Sequence, residues 1–197
     1  MQDFAKSERR RSCSRCAYPI STCVCDSIIR CQLPCKITVL QHRKESKHAK
    51  NTARLAKLVA PELEIILDDE ECFNNGVIAD KLKDAILIYP NPHSNVLLKH
   101  NIESKHTLKD THLLFIDATW KQAHGIWKRH PYLSTLDSYH LEVSEMPEYT
   151  IRKAKRPDYL STIEAIAYCT EILFGQDKHP YLHLLGRMQS NWPPQRS

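Results

Sequence analysis

Residues 113–127, LLFIDATWKQAHGIW, constrain the fold of this chain most. Leu113, Leu114, Phe115 and Ile116 are consecutive apolar residues with no polar residue at alternate positions, so a strand built from them is covered on both faces. Strands of that kind belong to parallel α/β sheets. The run ends at a carboxylate, Asp117, and a helix start follows, because Thr119 with Gln122 three positions on is a capping-box pattern. Trp120, Ala123, His124 and Trp127 then recur at i, i+3, i+4 and i+7, which predicts that they share the apolar face. Asp117 therefore falls at the carboxyl end of a central strand, where open α/β sheets hold their ligands.

The remaining elements fit the same class. Residues 36–41 (KITVLQ) predict a first strand, 63–67 a short one, and 85–89 (AILIY) another buried one. Pro90-Asn91-Pro92 halts the last and stiffens a loop at a further carboxyl end. Residues 138–143 alternate weakly and predict an edge strand. Helices are expected at 74–83, along the stripe Leu55, Leu58 and Val59, and after Ser161. There Ser161 and Glu164 form a second capping box ahead of an apolar face of Ile163, Ile166, Ala167, Thr170 and Phe174. A further short helix is expected after Gly175. Residues 95–110 are polar and variable in pattern, and the sequence says little there. With 197 residues, 42% of them apolar, the chain has room for one α/β domain, residues 36–197, and a small appendage, residues 1–35.

The appendage has its own chemistry. Residues 13–25 read CSRCAYPISTCVC and place Cys13, Cys16, Cys23 and Cys25 as C-x2-C, six residues, then C-x-C. Four thiolates so close in sequence can surround one tetrahedral Zn²⁺. The ion would organise a segment with almost no apolar residues of its own, and structural zinc contributes roughly 10 to 16 kcal/mol to folding such pieces. Cys31 and Cys35 lie just outside and could compete as ligands, although Pro34 and the nearby strand start favour core or loop roles. No thioredoxin-like context surrounds the cysteines. The basic start MQDFAKSERRRS has no apolar region behind it and is no secretory signal, and no stretch reaches membrane-spanning length. A cytoplasmic protein is expected, and in that reducing compartment its eight cysteines are poor disulfide material.

Charge is modest in total and uneven in placement: 28 Lys and Arg against 23 Asp and Glu give +5. Arg43, Lys44, Lys47, Lys50, Arg54 and Lys57 oppose one acid, Glu45, and this run leaves a strand at the edge where Asp117 emerges. Arg152, Lys153, Lys155 and Arg156 form a second cluster, and residues 9–11 a third. The acidic run Asp68, Asp69, Glu70 and Glu71 would repel nucleic acid and is expected to face away from it. With only four glycines the chain has neither a dinucleotide fingerprint nor a P-loop, which disfavours NAD enzymes and NTPases. The eleven histidines show no HExxH or other ligand spacing.

IDATWKQA (116–123) carries a D-x-T-W signature. It is joined by LQH followed by Glu45, NTARL (51–55), IYPNP (88–92), YTIR with Pro157, and LSTIEA (160–165). Together with the four cysteines, residues 13–174 resemble the DTW-domain proteins, tRNA-uridine aminocarboxypropyltransferases. The chain departs from that pattern at Arg43, where proline is common, and at Asn91 and Ala118, where glycine is common. The resemblance implies S-adenosylmethionine as donor of a 3-amino-3-carboxypropyl group to N3 of a tRNA uridine, with release of methylthioadenosine. It also implies a SPOUT-like, knotted α/β sheet with helices on both faces, beside the zinc lobe.

The same resemblance implies roles for individual residues. Asp117 is the general base or an orienting group, Thr119 caps its helix beside the donor's carboxylate, and Trp120 either stacks on a base or belongs to the core. Ile88, Tyr89, Pro90 and Asn91, with Leu160, Ser161, Thr162 and Glu164, resemble the donor-facing loops. Arg43, Lys44, Lys47, Arg54, Arg152, Lys153, Lys155 and Arg156 would meet the tRNA backbone. Two other readings stand beside this one: a SPOUT-like RNA methyltransferase and a non-catalytic zinc-bearing RNA-binding protein. A monomer is slightly favoured, with no residue that decides it.

Overall fold

The computed structural model describes residues 11–68, 76–142 and 160–192, with Val77 in its backbone alone. Arg9, Arg10, the acids after Asp68, Val143 and the second basic cluster (Arg152, Lys153, Lys155, Arg156) lie outside the described residues. Among the described residues six strands form one sheet: β1 (Lys36–His42), β2 (Glu64–Asp68), β3 (Ile86–Ile88), β4 (Asn95–Val96), β5 (His112–Asp117) and β6 (Ser138–His140). Their order is β2-β1-β5-β3-β6-β4, and every neighbouring pair is parallel. Parallel neighbours need crossovers rather than tight turns. Helices α1 (Arg43–Ser46) and α2 (Thr52–Val59) join β1 to β2, and α3 (Val77–Leu82) joins β2 to β3. Helix α4 (Lys99–Glu103) precedes β5, and α5 (Trp120–Arg129) follows it. Helices α6 (Thr162–Phe174) and α7 (His179–Ser190) come last.

Side-chain alternation sends each strand to two cores. Ile37, Val39, Leu113 and Phe115 pack with α2, α6, α7 and the cysteine segment, whereas Leu40, Leu87 and Leu114 pack with α3, α5 and the turn holding Leu133. Both faces are covered, as the unbroken apolar run of β5 requires, and each fully buried leucine or isoleucine contributes about 1.5 to 3 kcal/mol. The cysteine segment joins this core through Tyr18 and Val24, while its Ile20 stays exposed.

Two expectations are corrected here. Residues 138–143 were expected at an edge, but β6 lies inside the sheet and ends at His140. The two-residue β4 pairs along its outer side, Asn95 with Tyr139 and Val96 with His140. A strand that short leaves no period to read. In α5 the inward residues are Ala123 and Ile126, with Trp127 half-buried, while His124 is exposed and Trp120 is 43% exposed. The helix starts three residues past the last strand residue, so its first turn projects beyond the rim and Trp120 has no sheet to cover. Among the described residues, no helix is long and apolar enough to cross a membrane.

Candidate active site

The connection leaving β1 runs to β2 by way of α2, which lies on one face. The connection leaving β5 runs to β6 by way of α5, on the opposite face. Adjacent strands whose connections part in this way leave a crevice at their carboxyl ends. Gln41 and Asp117 are register partners at that point. Two positions on from Val39 and Phe115, both turn toward the face that carries α6. Gln41 Nε2 donates to Asp117 Oδ2 at 2.6 Å, and the hydroxyl of Thr162, the first residue of α6, donates to Oδ1. Asp117 is 7% exposed and Gln41 3%. The buried carboxylate thus accepts from neutral donors on two elements, in bonds strengthened by its charge. Gln41 was no candidate in the sequence. Its only signal was a polar residue closing an apolar strand inside the LQH stretch.

The other candidates gather around this pair. At the start of α6 the Ser161 amide and hydroxyl both donate to Glu164 Oε2, at 2.7 and 2.6 Å, and Glu164 is fully buried. Leu160 precedes them, half-buried. Thr119 caps α5: its amide donates to Gln122 Oε1 at 2.8 Å, and its hydroxyl accepts from the Gln122 amide at 3.4 Å. Tyr89 has its ring centre 5.9 Å from that of Trp120 and 6.0 Å from that of Trp127, forming an aromatic shelf with Trp120 outermost. Ile88 is buried and Pro90 exposed. Asn91 builds its own turn, accepting from the His93 amide at 2.9 Å and donating to the Tyr89 carbonyl at 3.1 Å. Neither Asn91 nor Ala118 has a positive φ, so glycine is not required at either position.

The first basic run divides. Arg43 and Lys44 on α1, and Lys47 just after it, are exposed beside the carboxyl end of β1. Arg54 instead turns toward the cysteine segment, lying over the Tyr18 ring and donating to the carbonyls of His48, Ala49 and Ala17 at 3.3, 3.4 and 3.4 Å. Two open depressions, around residues 103–109 and around Gln32, Cys35 and Glu62, flank the amino ends of the strands and touch none of these groups.

The sulfurs of Cys13, Cys16, Cys23 and Cys25 all lie within 4.8 Å of one another, with Cys13 and Cys25 at 3.6 Å and Cys16 and Cys23 at 3.7 Å. Thiolates bound at about 2.3 Å around a tetrahedral ion stand about 3.8 Å apart, so the set fits one metal ion. Backbone amides of Cys16 and Arg15 draw the Cys13 thiol down to about 6. Cys31 and Cys35 do not join the set. Cys31 donates to the Tyr181 hydroxyl at 3.4 Å, and Cys35 sits in the core, where burial pushes its thiol up to about 12.

Residues 10–191 match the family model described as the DTW domain. A Drosophila melanogaster protein named tRNA-uridine aminocarboxypropyltransferase 2 is 29% identical over 173 residues, covering 84% of this chain and 67% of the relative. A Mus musculus protein of the same name is 25% identical over 174 residues, covering 85% and 58%. The Mus musculus tRNA-uridine aminocarboxypropyltransferase 1 is 28% identical over 196 residues, covering 79% and 62%. The chain therefore spans about three fifths to two thirds of the length of these relatives. No solved structure matches it.

Proposed function

The chain belongs to the DTW-domain family, and on that premise we propose that it moves the 3-amino-3-carboxypropyl group of S-adenosylmethionine to N3 of a tRNA uridine. In the transfer, a bond forms between N3 and the γ-carbon of the donor as the carbon–sulfur bond breaks. The bonding pair stays on sulfur and leaves as the neutral thioether methylthioadenosine, while the N3 proton passes to a base. Asp117 is the group we assign to that proton or to the alignment of the uracil, since a positioned carboxylate at the crevice can serve either role. Selection of this carbon over the methyl requires N3 to lie in line with the γ-carbon and sulfur, a matter of how the two substrates are held.

The observation that carries this reading is the convergence of the motifs at one switch point. Gln41 of LQH and Thr162 of LST both bond to Asp117 of D-x-T-W, and Trp120 lies against Tyr89 of the YPNP turn. In this reading residues 88–91 and 160–164 face the donor, and the helix end capped by Thr119 offers backbone N–H groups to its carboxylate. The half-exposed Trp120 offers a stacking surface for a base. Arg43, Lys44 and Lys47, with Arg152, Lys153, Lys155 and Arg156, meet the phosphate backbone, while Arg54 supports them from behind. The family reading carries with it a SPOUT-like knotted sheet, and beside it we keep a lobe at 1–35 with a catalytic domain at 36–197, and a cytoplasmic location. Four thiolates select Zn²⁺ over harder ions and close its coordination, so the ion would be structural.

Nucleoside mass spectrometry of tRNA from cells with and without the gene tests the proposal. The aminocarboxypropyl uridine should vanish in its absence. Loss of a methylated uridine instead would favour the methyltransferase reading, and an unchanged profile would leave only RNA binding.

A further inference from the structure

The bonds that reach Asp117 from β1 and α6 serve no structural need that other groups do not already meet. Helix α6 has its cap in Ser161 and Glu164, so the Thr162 hydroxyl is not needed there and goes to Asp117 instead. The backbones of Gln41 and Asp117 are already paired in the ladder, and an apolar pair would close the strand ends without burying a charge. The last torsion of an aspartate side chain is soft, with a broad two-fold profile, so one donor alone leaves the carboxylate free to pivot. Donors on both oxygens, from separate elements, fix its plane.

We propose that Gln41 and Thr162 are positioning residues for the transfer, setting the plane of the Asp117 carboxylate at the crevice between β1 and β5 through a donor on each of its oxygens. The assignment rests on the transferase reading above. Neither residue touches the reacting atoms. Loss of either removes the donor from one carboxylate oxygen and shifts the set of its plane, and a misplacement of about 1 Å at a reacting group costs on the order of 100-fold in rate.

The test is steady-state kinetics of the purified chain with S-adenosylmethionine and tRNA, reading methylthioadenosine, with melting curves for each variant. Gln41→Ala and Thr162→Val should lower kcat by about 10- to 100-fold while KM for either substrate stays within about threefold. Thr162→Ser should restore most of the rate, because it keeps the hydroxyl. Gln41→Glu sets a second carboxylate against Asp117, so its activity should fall as pH rises relative to the wild type. Its pH profile, with the Thr162 pair, decides the matter even where Gln41→Ala fails to fold. Variants with unchanged kcat, a serine variant as slow as valine, or losses that follow KM or the melting point would overturn the assignment alone. A wild-type chain that releases no methylthioadenosine would overturn the transferase reading, and the assignment with it.

Discussion

The Arg54 guanidinium lies 4.2 Å from the centre of the Tyr18 ring, and the Tyr18 hydroxyl donates to the Asn51 carbonyl at 2.7 Å. Tyr18 follows Cys16 by two positions, so the cysteine cluster is tied through one side chain to α2 and to the loop that carries Lys47 and Lys50. Asn51 extends the tie, capping α2 through the Arg54 amide at 2.8 Å and donating to the Glu45 carbonyl at 2.8 Å. Removing the metal should therefore loosen more than the lobe. The expected result is one zinc per chain, lost in Cys16→Ser, with a fall of about 10 °C in melting temperature as several kcal/mol are lost. Metal analysis and calorimetry before and after chelation check this, and an unchanged melting curve would count against a structural ion.

Ala17 closes the first cysteine turn with φ at 58°, a left-handed backbone that an L-residue adopts at a cost of roughly 1 to 2 kcal/mol. Its side chain is exposed and meets no need that glycine would leave unmet. Ala17→Gly should raise the melting temperature by about 2 to 4 °C, the shift that roughly 1 kcal/mol gives in a chain of this size. A lower melting temperature would mean that the turn is not strained.

His112 is buried at the amino end of β5, where it shares a 2.9 Å hydrogen bond with the Thr38 hydroxyl. Burial first, and Lys36 second, lower its pKa from 6.5 to about 4. The unfolded chain therefore binds more protons between those values. The stability contributed by the neutral ring is full above pH 6.5 and is lost as the pH falls toward 4. Allowing for solvent screening, wild type should lose roughly 1 to 2 kcal/mol more than His112→Gln between pH 7 and pH 5. Urea unfolding at the two pH values measures the difference, and equal losses would show that His112 is not the linked group.

Lys44 and Lys47 are exposed beside the proposed crevice. If they meet phosphates, replacing each with alanine should weaken tRNA binding and reduce the slope of log affinity against log salt by about 1 per residue. Affinity for S-adenosylmethionine should not change. Filter binding across a salt series decides this, and an unaltered slope would move the RNA to another surface.

The local features were legible in the sequence, and those that depend on which strands lie side by side were not. The run into Asp117, the Thr119 cap and the grouping of the four cysteines are each written within a dozen or so residues, and the structure shows the strand, the cap and a cysteine cluster that could hold a metal ion. Gln41 could not be read as a partner of Asp117, because their pairing depends on β5 entering the sheet between β1 and β3. Helical period could not tell that Trp120 lies past the rim, since periodicity carries no information on where a sheet ends. Charge pattern grouped Arg54 with the cations read as meeting the tRNA backbone and carried no sign that its guanidinium lies over an aromatic ring 36 positions earlier, a contact that only the packed lobe creates.

The central claim is that Asp117 works at a crevice where uridine meets a sulfonium donor, and Asp117→Asn tests it most directly. The substitution is isosteric, and the Thr162 hydroxyl can turn to accept where it now donates, so the fold should persist. With purified chain, tRNA and S-adenosylmethionine, the wild type should yield methylthioadenosine and aminocarboxypropyl uridine in equal amounts. The variant should transfer slower by about 100- to 10,000-fold, the range for losing a positioned acid or base. A variant as fast as the wild type, or S-adenosylhomocysteine as the wild-type product, would contradict the account.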